Sequence, residues 1–197
     1  MRREERLVLA TNNQHKVREI RAILGDRFGD IVTMGEAGLE LEVEETGQTF
    51  EENAVLKARA VAQATGCWAL ADDSGICADA LGGAPGVWSA RYSGLEKDDQ
   101  ANNDKLILEL AGKEDRSAHY ACVIALAGPG GEVLTAEGLC EGQIGFEPKG
   151  TRGFGYDPYF IPAGSERTMA ELTDDEKNAI SHRKRALEGL LAKLERE

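Results

Sequence analysis

Between Arg6 and Ala71 the sequence alternates short apolar runs with helix-spaced stripes, and that order admits few folds. Arg6–Ala10 is rich in strand-forming residues, and Lys16–Leu24 places Val17, Ile20, Ile23 and Leu24 at helical spacing. Asp30–Met34 predicts a second strand. Thr49-Phe50-Glu51-Glu52 has the form of a capping box, and Phe50, Ala54, Ala58 and Val61 continue from it as one helix stripe. Trp68–Ala71 predicts a third strand. A βαβαβ rhythm of this kind implies parallel pairing with helices as crossovers.

The second half reads differently. Asp98-Asp99 opens a helix through Leu106, Ile107 and Leu110, and His119–Ala127 and Glu132–Cys140 flank Gly128-Pro129-Gly130-Gly131 as an antiparallel hairpin. Thr173-Asp174-Asp175-Glu176 caps a helix whose stripe includes Ile180, Leu187, Leu191 and Leu194. No repeat or low-complexity linker divides the chain. The expectation is one α/β domain spanning residues 1–197, an elongated mixed β-sheet flanked by helices in two lobes, with the ligand cleft between the lobes.

Composition narrows the function. A formal charge of −12 argues against a nucleic-acid-binding surface, which needs a basic footprint. It leaves room for a nucleotide ligand, because salt screens distant charges beyond about 8 Å. No apolar run approaches the ~18 residues of a membrane helix, and Met1–Arg6 lacks the apolar stretch of a secretory signal. Cys67, Cys77, Cys122 and Cys140 form no CxxC pair and read as reduced thiols of a cytoplasmic protein. The acidic stretches at Asp98-Asp99 and Asp174–Glu176 fit solvated first turns of helices.

Several clusters stand out against this background. Asp72-Asp73-Ser74-Gly75 follows an apolar run, and two carboxylates at a strand exit suit a hard cation such as Mg²⁺, although a polar turn is the bland alternative. Successive side chains of an extended chain face opposite sides, so both aspartates reach one metal only across a sharp turn, which Ser74-Gly75 permits. Thr11-Asn12-Asn13-Gln14-His15-Lys16 joins a strand to a helix, where outward N–H groups and a lysine suit a phosphate; a simple N-cap is the alternative. Glu44-Glu45-Thr46-Gly47 precedes a helix on which Asn53 and Lys57 share a face, though a helical lysine commonly snorkels at the surface. In Gly153-Phe154-Gly155-Tyr156-Asp157-Pro158 an aromatic between glycines is poor core material but suits stacking on a planar base, and Asp157 can accept from a base N–H. Lys177 and Ser181-His182-Arg183 add donors that can read a carbonyl on a base edge. His119 reads as structural.

In this order the clusters resemble the family of inosine/xanthosine triphosphate pyrophosphatases, the house-cleaning enzymes of non-canonical purine nucleotides, from about residue 6 to residue 194. The most specific matches are Glu44-Glu45-Thr46-Gly47 with Phe50 and Glu52-Asn53-Ala54, Asp72-Asp73-Ser74-Gly75, Gly153–Pro158 and Ser181-His182-Arg183. The resemblance implies hydrolysis of ITP, dITP and XTP to the monophosphate and pyrophosphate with Mg²⁺, by a homodimer. It implies that Thr11, Asn12, Asn13, Gln14, His15 and Lys16 hold phosphates with Lys57 and Lys177. Glu45 and Asp73 would bind the metal, Asp73 would accept the proton of the attacking water, and Ser74 would touch substrate. Phe154, Gly155, Tyr156 and Asp157, with His182 and Arg183, would form the base pocket.

Asn12 departs from the family pattern, which has glycine there; asparagine tolerates a positive φ, so the loop can persist. Two rivals stand beside this reading. One is a Maf-type pyrophosphatase acting on modified pyrimidine nucleotides or dTTP and UTP, against which the Phe154 loop and Ser181-His182-Arg183 argue. The other is a nucleotide-binding module without catalysis, disfavoured by the presence of both Glu45 and Asp73.

Overall fold

The computed structural model describes residues 6–94 and 98–196. Six strands form one sheet in the order β2-β1-β3-β4-β5-β6. They are β1 (Arg6–Leu9), β2 (Asp30–Thr33), β3 (Trp68–Ala78), β4 (Ser117–Ala127), β5 (Val133–Ile144) and β6 (Phe160–Pro162). β1 pairs in parallel with β2 and β3, while β5 and β6 are antiparallel. Five α-helices accompany them among the described residues: α1 (Gln14–Leu24), α2 (Phe50–Thr65), α3 (Asp99–Glu109), α4 (Asp174–Ile180) and α5 (His182–Leu194). The mixed sheet flanked by helices that the sequence predicts is therefore present. None of these helices is long and apolar enough to cross a membrane.

The chain forms two compact units. The first runs to Asp73 and adds Cys122–Gly138 and the segment from Arg183 onward; the second takes Ser74–Ala121 and Leu139–His182. In the first unit, strand parity builds two cores. Leu7, Leu9, Leu70, Cys122, Ile124 and Leu126 pack with Val17, Ile20 and Leu24 of α1 and Leu187 and Leu190 of α5. The alternate residues Val8, Ala10, Ala69, Ala71, Val123, Ala125 and Ala127 pack with Ala54, Ala58, Val61 and Ala62 of α2. Alanine on both sides of that second interface lets α2 lie close to the sheet. In the other unit, Ile76, Ala78, Leu106, Leu110, Tyr120, Cys140, Tyr156 and Phe160 belong to a third core.

The structure departs from the sequence expectations at three places. β3 does not end at Ala71 but continues through both aspartates to Ala78. Gly75 therefore serves close packing rather than a sharp turn: a Cβ there would collide with Ser89 Oγ and the Gly86 carbonyl. Ser89 Oγ accepts from the Ile76 N–H at 2.9 Å and donates to the Gly86 carbonyl at 2.6 Å, so that approach is fixed. The long C-terminal helix is two helices, because Ser181 turns extended at ψ 149° between α4 and α5. β6 is only three residues long, too short to leave a periodic signal.

Candidate active site

Parity explains the Asp-Asp pair. Asp72 follows Leu70 onto the α1/α5 side of β3, whereas Asp73 follows Ala71 onto the α2 side. No sharp turn is needed, since the two carboxylates serve different helices.

On the α2 side, the Lys57 ammonium donates to Glu45 Oε1 and Asp73 Oδ1, both at 2.8 Å, and to the Asp72 carbonyl at 2.9 Å. Asn53 is fully buried; its amide nitrogen donates to Asp73 Oδ2 at 3.3 Å while its oxygen accepts the Gly47 N–H at 2.8 Å. Gly47 must be glycine for that approach, because a Cβ would press on Asn53 Oδ1 and Glu52 Cβ. The capping box at Thr49 and Glu52 starts α2 at the register that places Asn53 and Lys57 on this face. One ammonium is thus shared among several acceptors. Burial disfavours the Lys57 charge, but Asp73, Asp72 and Glu45 outweigh it and raise its pKa. For Asp73 burial wins over Lys57 and raises the carboxyl above its ordinary 3.8.

On the other side, Asp72 is 2% exposed and lies between cations. Lys16 of α1 meets its Oδ1 at 2.9 Å, and Arg183 of α5 donates to its Oδ2 through Nε at 3.1 Å and Nη2 at 2.9 Å. Arg183 also donates through Nη1 to Glu19. Burial alone would favour a neutral Asp72; Lys16, Arg183 and Lys57 outweigh it and hold the carboxyl far below the usual range. At the start of α1, Asn13 is the N-cap: its side chain accepts the N–H groups of His15 and Lys16 at 2.9 and 3.4 Å, and its own N–H donates to Thr11 Oγ1 at 3.2 Å. Asn13 thus caps α1. Among the described residues no non-glycine has a positive φ, so Asn12 keeps ordinary backbone and its departure from glycine strains nothing. His15 Nδ1 bonds Arg18 at 2.9 Å.

The second unit holds the aromatic cluster. Asp157 is 2% exposed. Its Oδ2 accepts from Lys177 at 2.6 Å and from the Phe154 N–H at 2.9 Å, and its Oδ1 accepts from the Tyr120 hydroxyl at 3.2 Å. Lys177 also lies over the Phe154 ring, 4.7 Å from its centroid. Gly153 is left-handed at φ +76° and a Cβ there would overlap the Asp157 carboxylate, so both glycine requirements coincide. Gly155 is gripped by α3: its N–H donates to Asp99 Oδ2 at 2.7 Å and its carbonyl accepts from Asn103 at 2.9 Å. The Tyr156 hydroxyl donates to the Ser89 carbonyl at 2.7 Å. His182 stacks on Tyr120, with centroids 4.8 Å apart and planes 13° apart. Ser74, half-buried, belongs to this unit.

The profile of the Ham1 family matches residues 7–193. The chain is 53% identical to the dITP/XTP pyrophosphatase of Bacillus subtilis over 190 residues, covering 95% of this chain and 96% of that one. A solved HAM1 protein from Coxiella burnetii superposes with a TM-score of 0.89 at 44% identity, covering 98% of this chain and 100% of that one. The Ham1 protein of Staphylococcus aureus gives 0.88 at 42%, covering 97% and 98%. The chain belongs to the Ham1 family.

Within this Ham1 chain the predicted site residues fall into two sets. Lys16, Glu45, Lys57 and Asp73 assemble in the first unit, and Phe154, Gly155, Tyr156, Asp157, Lys177 and His182 in the second. Lys177 engages Asp157 and lies over Phe154. Arg183, 1% exposed, is engaged by Asp72 and Glu19, while its sequence neighbour His182 belongs with Tyr120. Asp157, expected to accept from a base, has both oxygens satisfied by its own unit. Asp99 lies in the exposed first turn of α3, as expected, and from there also accepts the Gly155 N–H. Sequence reasoning did not single out Tyr120, Glu19 or Asn103. Tyr120 sits unmarked in an apolar strand, and Glu19 and Asn103 look like ordinary helix polars.

Proposed function

We propose that the protein hydrolyses non-canonical purine nucleoside triphosphates, ITP, dITP and XTP, to the nucleoside monophosphate and pyrophosphate. The observation that carries this reading is the convergence of Glu45, Asp73 and Lys57, in a chain so closely and completely related to a dITP/XTP pyrophosphatase. A raised pKa makes Asp73 a better proton acceptor than an ordinary aspartate, since a general base works best near the operating pH. Asp73 takes the proton of the attacking water as the bond between the α- and β-phosphates breaks. Lys57 and Asn53 hold its carboxylate in place. Lys16, anchored by Asp72, faces the negative charge that develops on the leaving pyrophosphate, the kind of electrostatic support that dominates phosphoryl chemistry.

The donor set also fits Mg²⁺. Glu45 and Asp73 supply hard carboxylate oxygens that meet at the Lys57 ammonium, and burial outweighs that lysine at Asp73. Mg²⁺ is held by one or two such groups, with waters and substrate phosphates completing its shell. When bound, the ion would neutralise phosphate charge and lower the pKa of a coordinated water.

In the second unit we assign Phe154 to stacking and His182 and Lys177 to donation toward the 6-keto oxygen. Adenine presents an amino donor there, so the same groups would be left unpaired. Asp157 keeps Lys177 and the Phe154 backbone in position. Arg183 is assigned to orienting Asp72, and through it Lys16. A homodimer acting in the cytoplasm completes the proposal.

The test is direct: incubate the purified protein with ITP, XTP or ATP and Mg²⁺, and resolve the products by phosphorus NMR. The reading expects pyrophosphate and monophosphate from ITP and XTP at rates well above ATP. Early accumulation of inosine diphosphate, or no turnover of either substrate, would sink it.

A further inference from the structure

We propose that Tyr120 is a positioning residue for base recognition, its hydroxyl fixing Asp157 and its ring fixing the plane of His182. The inference rests on the function proposed above and goes beyond it. Tyr120 is a strand residue, 7% exposed, in the first half of β4. It touches two recognition segments far apart in sequence: the loop 153–158 through Asp157, and the start of α5 through His182.

The hydroxyl has a specific task. Asp157 is a buried carboxylate that accepts the Phe154 N–H, so its position sets the backbone beneath the Phe154 ring. A buried carboxylate needs its acceptor sites filled, and the Tyr120 hydroxyl is the donor on Oδ1, opposite the Lys177 and Phe154 donors on Oδ2. Burial pushes the phenol well above 10, so it stays protonated and donates at any working pH.

The ring has another. Its near-parallel stack against the imidazole defines the plane in which His182 presents its ring nitrogens, while Phe160, tilted 56° at 4.6 Å, buttresses Tyr120 itself. Phenylalanine would satisfy the packing of this core equally well. The hydroxyl matters because it reaches Asp157.

Two variants separate the tasks. Tyr120→Phe keeps both ring contacts and removes the hydroxyl; Tyr120→Leu removes both. Steady-state pyrophosphate release from ITP and ATP is measured with Mg²⁺, alongside thermal melts that give the folded fraction. For Tyr120→Phe we expect KM for ITP to rise about tenfold, as loss of a hydrogen bond to a charged group predicts, with kcat per folded molecule within about twofold. Tyr120→Leu should raise KM further and reduce the ITP:ATP ratio of kcat/KM. A merely structural tyrosine would lower the folded fraction and leave KM unchanged, and that result overturns the inference. So does a fall in kcat at constant KM, which would tie Tyr120 to the chemical step. If wild-type protein releases no pyrophosphate from ITP, the function fails and the inference with it; wild-type turnover with wild-type KM in both variants defeats the inference alone.

Discussion

Both units hold a buried carboxylate gripped by a lysine, yet the two arrangements have opposite characters. In the first, Asp73 shares Lys57 with Glu45, and burial leaves its charge under-compensated. In the second, Asp157 is satisfied on both oxygens by Lys177, Tyr120 and the Phe154 N–H. Asp73 accepts from Asn53 and from a lysine it shares with Glu45, which suits it to take a proton or meet a cation. Asp157, with three donors, is suited to hold a loop still. Residue type alone does not distinguish them.

The sharpest break would come from the adjacent aspartates. Asp73→Asn should lower kcat for ITP by about 10³-fold or more, since general-base catalysis alone is typically worth 10²–10⁴. It should change the melting temperature less than the loss of Asp72 does, because burial already disfavours the Asp73 charge and Lys57 keeps Glu45 and the Asp72 carbonyl as acceptors. Asp72→Asn should cost more stability. It leaves Arg183 and Lys16 facing a lost counter-charge, at a cost of about 3 kcal/mol, roughly 6–12 °C in Tm for a chain of this size. The pH dependence also separates the two. Asp72 has a depressed folded pKa, so its stabilisation is present above the unfolded value of 3.8 and is lost as pH falls toward the folded one. Asp73 has a raised folded pKa, so its favourable contribution lies below 3.8 and disappears as pH rises through the folded value. Melts of the two variants and wild type between pH 3 and pH 7 read this directly; equal curves for both variants would erase the distinction.

A smaller effect sharpens the second unit. Phe154→Ala should lower kcat/KM for ITP and ATP by similar factors, as loss of ~1–3 kcal/mol of stacking predicts, because stacking ignores exocyclic groups. A loss confined to ITP would make the ring a specificity element instead.

Much of this was legible in the sequence, and the reasons differ by region. The βαβαβ half announces itself because helix and strand periods alternate cleanly, and the capping box at Thr49 and Glu52 is realised as written. The opposed directions of Asp72 and Asp73 follow from strand parity, but the length of β3 does not, since Asp72–Gly75 is indistinguishable from a turn until Ser89 closes on Gly75. The aromatic loop is visible as glycines around Phe154. Its supports are not: Tyr120, Asp99 and Asn103 reach it only through the fold. The engagement of Lys177 by Asp157 and the different partners of His182 and Arg183 are likewise tertiary facts, because neighbours in sequence were free to share a task.

The three lysines therefore give the most direct measurement. The family resemblance implies that Lys16 and Lys177 serve the same phosphate chain; in the structure Lys16 engages Asp72, and Lys177 engages Asp157 and Phe154. The ratio of kcat/KM for ITP over ATP should be compared in wild type, Lys16→Gln and Lys177→Gln, each checked for fold by melting. The account predicts that Lys16→Gln lowers both substrates together and keeps the ratio within about twofold of wild type. Lys177→Gln should reduce the ratio about tenfold, as loss of one donor to the base edge predicts. A ratio unchanged in Lys177→Gln, with both substrates equally impaired, would put that lysine back on the phosphates and contradict the division of labour between the two units.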